Sequence, residues 1–208
     1  MEEKLTVEEL CRRYDVDMAH ARHVADHALA LFDCLSPFHG LPPERRSLLE
    51  TAALVHNVGL ETDPVRHHTV GRDILLAHSL AGLDDHERLI VALTTFLHRK
   101  RITPKKLEKK LSRTAFADLP EPVQAEALAL AALVRMADGL DYTQMGTSQL
   151  GQVRQREVSL PPASGGPGGG VVEIEVTGLS AAIDAARAQK KSDLWRLLFE
   201  TDLQFKPA

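Results

Sequence analysis

Aromatic residues are scarce in this chain, with one Trp, two Tyr and six Phe among 208 residues. A surface that grips single-stranded nucleic acid interleaves aromatic platforms with cations, and that pattern is missing here. Cysteine is rarer still. Cys11 and Cys34 lie on different predicted helices without metal-type spacing, so they read as reduced thiols, and nothing argues for a disulfide between them. No apolar run approaches the roughly 18–20 residues that span a bilayer. The acidic start, MEEKLTVEEL, lacks the apolar stretch of a signal peptide. A cytoplasmic location without membrane contact is therefore expected. Histidine is absent beyond residue 98, which concentrates all ten imidazoles in the first part of the chain.

The net charge of −4 conceals one strongly basic segment. Residues 98–113, HRKRITPKKLEKKLSR, carry Arg99, Lys100, Arg101, Lys105, Lys106, Lys109, Lys110 and Arg113 against Glu108 alone. The remainder is correspondingly acidic, so a polyanion has one preferred place to dock. A solvated helix face accounts for such a segment equally well. The adjacency of Arg99, Lys100 and Arg101 to His98 favours a phosphate-rich ligand, and the lack of aromatics disfavours sequence-specific nucleic acid.

Periodicity predicts a run of helices. Thr6 and Glu9 form a capping box ahead of a helix over 7–13, and Asp17 caps a helix over 18–34 with a stripe of Val24, Ala28, Leu31 and Leu35. Ser36-Pro37 and the 40–43 segment break the pattern. Further helices are expected over 44–58, with Gly59 as the residue beyond its C-terminus, over 69–78, over 85–97 behind Asp84, over 105–111 and over 123–138. After Leu140 the character changes. Two strands are expected over 152–160 and 171–177, joined by a glycine-rich hairpin loop at 161–170. A helix over 179–189, a turn capped by Ser192-Asp193 and a strand over 202–205 follow. The expected fold class is mainly α, a helical bundle over 1–145 with a small C-terminal α+β appendage over 146–208.

Several residues recur in a metal-site order: His20-Ala-Arg-His, then LLETAALVHNVG at 48–59, HHTVGRDILL at 67–76, FLHRKR at 96–101 and LVRMADGLD at 133–141. Imidazoles and carboxylates delivered from separate helices suit a borderline transition metal. This succession resembles the HD superfamily, specifically the C-terminal HD-like domain of the Ppx/GppA exopolyphosphatase and guanosine-pentaphosphatase family. The closing segment AQKKSDLWRLLFETDLQF is similar to the end of that family's chains. The family's actin-like, phosphate-binding catalytic domains have no counterpart in this sequence, which resembles a freestanding C-terminal region.

The resemblance places His20 at the first histidine, His56 at the H of the HD pair and Asp138 at the final aspartate, with His68 and His98 at positions of extra ligands. Asn57 stands where the pattern has its aspartate. An amide offers only an uncharged oxygen, which disfavours a dinuclear site and leaves room for a single divalent ion such as Mn, Fe, Ni or Mg. A metal-free polar core remains the alternative. His68 and His98 could instead bind phosphate or cap helices, and Asp141 could orient a histidine or cap a helix. Arg72 and Arg135 are candidate bidentate phosphate clamps, beside Arg99, Lys100, Arg101, Lys105, Lys106 and Lys109. His23 and His27 read as packing residues, and His39, His78 and His86 as solvent-exposed. The resemblance implies an HD-type, metal-dependent phosphohydrolase-like protein with a degenerate HD motif, acting on or binding polyphosphate or nucleotide polyphosphate. A non-catalytic binding or regulatory module competes with it, and a homodimer is expected from resemblance alone.

Overall fold

The computed structural model describes residues 4–112, 114–156, 170–199 and 201–208. Local chemistry sets the helix starts. In α1 (Val7–Arg13), Thr6 and Glu9 close the expected capping box. The Asp17 carboxylate accepts from Ala19 and His20 at the start of α2 (Met18–Cys34). Asp84 and Glu87 form a second box ahead of α6 (Asp85–Leu97). Pro37 does not simply end α2, because with its neighbours it forms a one-turn helix, α3 (Ser36–His39), closed by Gly40 at φ +62°. α4 (Arg45–Leu54) and α5 (His67–Ala77) follow.

The basic α7 (Pro104–Ser112) and a 3-10 turn, Ala115–Asp118, lead into α8 (Glu121–Leu140). Every residue of α8 from Ala127 to Ala137 is buried. A helix apolar all round must lie at the centre of a bundle, and α8 indeed packs against α2, α4 and α6 on one side and α9 (Ala181–Lys191) on the other. The contact with α9 is tight: a Cβ on Gly139 would meet the Ala188 backbone at 2.7 Å.

Beyond α8 the chain forms a three-stranded sheet in the order β1 (Gln149–Arg156), β2 (Val171–Thr177), β3 (Asp202–Pro207). β1 and β2 are antiparallel, and β2 and β3 are parallel. Parallel neighbours require a crossover, which α9 and the short α10 (Trp195–Leu198) supply. The alternation predicted for β2 buries Val172, Ile174 and Val176, and these join Leu203 and Phe205 in the same apolar core as α8 and α9. The protein is thus mainly α with a small α+β appendage. β1 begins three residues earlier than predicted; residues 157–160 of that strand, and the loop at 161–169, lie outside the described residues.

Two sequence expectations change. The helix predicted over 44–58 stops at Leu54, and residues 55–62 run as successive turns. Gly59 is therefore no helix terminus. A Cβ there would stand 2.5 Å from both Gly71 N and His67 O, so glycine is required for the close approach of this turn to α5. No side chain caps the first turn of α10, although the Asp193 carboxylate accepts from Leu194 N–H at 2.9 Å just ahead of it. The Ser192 hydroxyl donates back to the Gln189 carbonyl, and Asp193 serves Arg135.

Candidate functional site

The site is built from helix ends. α4 leaves its last carbonyls without intrahelical partners, and the His56 ring closes back on one of them, its Nδ1–H donating to Ala53 O at 2.6 Å. The same device recurs at the end of α6, where His98 Nδ1–H donates to Thr95 O at 2.5 Å. Fixing the proton on Nδ1 leaves Nε2 as a lone pair in both rings. His20, on the first turn of α2, gives its Nδ1–H to Asp141 Oδ2 at 2.8 Å, which turns its Nε2 toward Asp138. Asp141 also accepts from Gly146 N, which holds the carboxylate in place. Asp141 therefore orients a histidine, one of the two roles open in the sequence.

Three potential ligand atoms converge as a result. His20 Nε2 stands 3.6 Å and His56 Nε2 3.9 Å from Asp138 Oδ1. One ligand atom from each of the three residues lies within 4.8 Å of the others. His56 is fully buried, and its Nε2 has no hydrogen-bond partner among the described residues. Two imidazole nitrogens and a carboxylate oxygen turned toward one another are a donor set that fits a divalent ion bound by nitrogen and oxygen. Burial, with His20 adding to it, pushes His56 down to about 3, so its ring is neutral near pH 7 and able to ligate. Asn57 lies half-buried in the same turn, its backbone carbonyl accepting from Leu60 N–H at 2.8 Å.

Of the two adjacent histidines on α5, His67 is the one that joins the row. His67 Nε2 lies 3.1 Å from His98 Nε2, and ring centroids step from His20 to His56 and from His56 to His98 at 5.3 Å each. His68 turns away to stack on Phe96 at 6.0 Å, its Nδ1 buried without a partner among the described residues. Burial, then Lys110 and Lys100, push His68 down to about 4. His39, expected at the surface, is buried: its Nε2 meets Phe32 O at 2.9 Å and its Nδ1 accepts from Leu41 N. His78 is half-buried against the Tyr14 hydroxyl, while His86 is exposed.

The basic residues divide into two groups. Lys100, Arg101 and Arg135 meet Arg187, Lys190, Lys191 and Arg196 around a cavity of about 420 Å³, with Asp193 as the one acid among the described residues that line it. Arg135 is a committed wall of it, donating to Leu97 O at 2.5 Å, Lys100 O at 2.9 Å and Asp193. Lys100 presents that carbonyl from a left-handed backbone, φ +64°, a strained conformation for a residue with a side chain. Outside the cavity, Arg99 clamps the turn before α5 through Pro64 O and Val65 O, and contacts His67 Nδ1 at 3.2 Å. Arg72 lies over the Phe96 ring and pairs with Asp73, and Lys105, Lys106 and Lys109 are exposed on α7.

Lys191, the last residue of α9, belongs to both places. It lines the cavity, and its Nζ pairs with Asp138 Oδ2. Sequence reading missed it, together with Arg187, Lys190 and Arg196. Their only signal was their clustering in the segment that resembles the end of a family chain.

A search with family models matches residues 3–159 to the Ppx/GppA phosphatase family, domain III. The chain belongs to that family. Ppx/GppA proteins are metal-dependent and act on polyphosphate or nucleotide polyphosphates. A search of curated proteins finds no significant match. The match takes in His20, His56 and Asp138, whereas α9, which supplies Lys191, follows it in the chain. No helix among the described residues is long and apolar enough to cross a membrane.

Proposed function

We propose that this protein is an HD-type, phosphohydrolase-like member of the Ppx/GppA family that holds one divalent metal at His20, His56 and Asp138. It takes a phosphate-rich ligand, polyphosphate or a nucleotide polyphosphate, in the adjoining basic cavity. The observation that carries this reading is the convergence of three potential ligand atoms beside a cavity whose wall holds seven cationic side chains.

In this reading His20 and His56 bind through Nε2, with Asp141 holding the His20 ring and Ala53 the His56 ring. Asp138 is the anionic ligand. The Lys100, Arg101, Arg187, Lys190 and Arg196 side chains neutralise phosphate oxygens and orient the chain of phosphates toward the histidines. A divalent ion, when bound, supplies Lewis acidity and lowers the pKa of water. Asn57 contributes no charge, so a second ion has too few anionic ligands.

A non-catalytic binding module is the competing reading, favoured by Asn57 and by the ion pair between Lys191 and Asp138. Phosphate release from pyrophosphate, tripolyphosphate and guanosine pentaphosphate, measured with Mn²⁺, Fe²⁺ and Ni²⁺ added in turn, separates the two. Metal-dependent turnover that disappears in His56→Ala supports the hydrolase. Tripolyphosphate binding without turnover leaves the module.

A further inference from the structure

Asp138 is the one carboxylate of the His20/His56/Asp138 set, and two kinds of cation compete for it. Its Oδ1 faces the two imidazoles, while its Oδ2 is held by the Lys191 ammonium. A dication among the ligands and an ammonium on the same half-buried carboxylate repel each other at short range. The ammonium sits on a long unbranched stem rooted at the end of α9, in the wall of the basic cavity. Inside that cavity its neighbours Lys100, Arg101, Arg187, Lys190 and Arg196 are all cationic, so the ammonium is better held there when an anion shares the space. Asp193, the one acid among the described residues lining the cavity, is occupied by Arg135 and by the backbone N–H of Ile102.

We infer that Lys191 is a two-position cation that makes the metal site and the basic cavity fill together. It sits on Asp138 when both are empty, and it turns to a condensed-phosphate or other multivalent oxyanion in the cavity when a divalent metal takes Asp138. Anion binding draws the ammonium away and releases Asp138 for the metal. Metal binding displaces the ammonium and adds a donor to the cavity. By linkage, each ligand must raise the affinity of the other by the same factor. The inference rests on the proposed metal and phosphate sites.

The test uses cobalt(II), whose visible absorption reports its coordination, and sulfate, a tetrahedral dianion that chelates the metal weakly. Cobalt(II) is titrated into the full chain with and without saturating sulfate, and sulfate affinity is measured by calorimetry with and without cobalt(II). Sulfate should tighten cobalt(II) binding about tenfold, within the usual range of such couplings, and cobalt(II) should tighten sulfate binding equally. In Lys191→Met, cobalt(II) should bind more tightly than to the wild type without sulfate, and the coupling should vanish. Wild-type protein that binds both ligands independently overturns the two-position role and leaves the proposed sites standing. Coupling that survives in Lys191→Met also overturns it. Binding of neither ligand overturns the sites and the coupling together.

Discussion

The Nε2 atoms of His67 and His98 stand 3.1 Å apart, and the tautomer of one ring dictates that of the other. His98 gives its Nδ1–H to Thr95, so its Nε2 accepts and His67 must donate. His67 Nδ1 lies beside both the Pro64 carbonyl at 3.1 Å and the Arg99 guanidinium at 3.2 Å. The His67–His98 contact therefore joins the turn clamped by Arg99 to the buried end of α6, and protonating His98 Nε2 would break it.

Acid should destabilise the protein from about pH 6.5 downward. Burial lowers His56 to about 3 and holds His98 well below its ordinary value. Below pH 6.5 the unfolded chain takes up protons at these positions while the folded chain does not, so stability falls as pH falls. Each ring costs about 1.4 kcal/mol per pH unit within that window. Urea midpoints at pH 7, 6 and 5 check this, and equal midpoints would contradict neutral buried rings.

Gly59→Ala should destabilise the fold by about 1–3 kcal/mol, as overpacking of a rigid contact does. The new methyl meets backbone atoms of Gly71 and His67 at 2.5 Å, and backbone cannot step aside as a flexible side chain can. Urea denaturation should show the loss. A change below about 0.5 kcal/mol, ordinary for a surface substitution, would mean that the turn and α5 are not in contact.

Asp141→Asn should weaken metal binding about 10- to 100-fold, as loss of a partner that orients a ligating histidine does. The amide can still meet the His20 ring, but it no longer favours the tautomer that points Nε2 at Asp138. Competition against a chelating dye gives the affinity, and an unchanged value would remove Asp141 from the site.

Tripolyphosphate should discriminate between the two basic groups. Arg187→Ala with Lys190→Ala should weaken binding at least about tenfold and flatten its salt dependence. The triple change of Lys105, Lys106 and Lys109 to alanine, on the exposed face of α7, should leave both within about twofold, since surface charges distant from a ligand are screened. The reverse pattern would move the anion site onto α7.

Much of the bundle was legible because local chemistry decides it. The Thr6–Glu9 and Asp84–Glu87 boxes and the Asp17 cap are short-range patterns that act where they stand. His20, His56 and Asp138 were picked out as a set by the family resemblance, and their ligand atoms do lie within 4.8 Å of one another. The choice between His67 and His68 was not legible. Both lie in the first turn of α5, which begins two residues earlier than the pattern indicated, and only the packing of α5 on α6 selects the ring that meets His98. The end of α4 was misplaced because propensity favours helix through Val58, whereas the His56 ring caps Ala53 instead. Lys191 reaches Asp138 from 53 residues away through the tight α8–α9 contact, a relationship that no local pattern encodes.

The central claim, one cation site at His20, His56 and Asp138, is tested most directly by metal stoichiometry. Protein purified without a histidine tag is dialysed against micromolar Mn²⁺, Ni²⁺ or Co²⁺, and bound metal is counted by mass spectrometry in the wild type and in Asp138→Asn. About one ion per chain, lost in the variant while the far-ultraviolet circular dichroism is unchanged, is the predicted result. No bound ion in the wild type, or an equal count in Asp138→Asn, would contradict it.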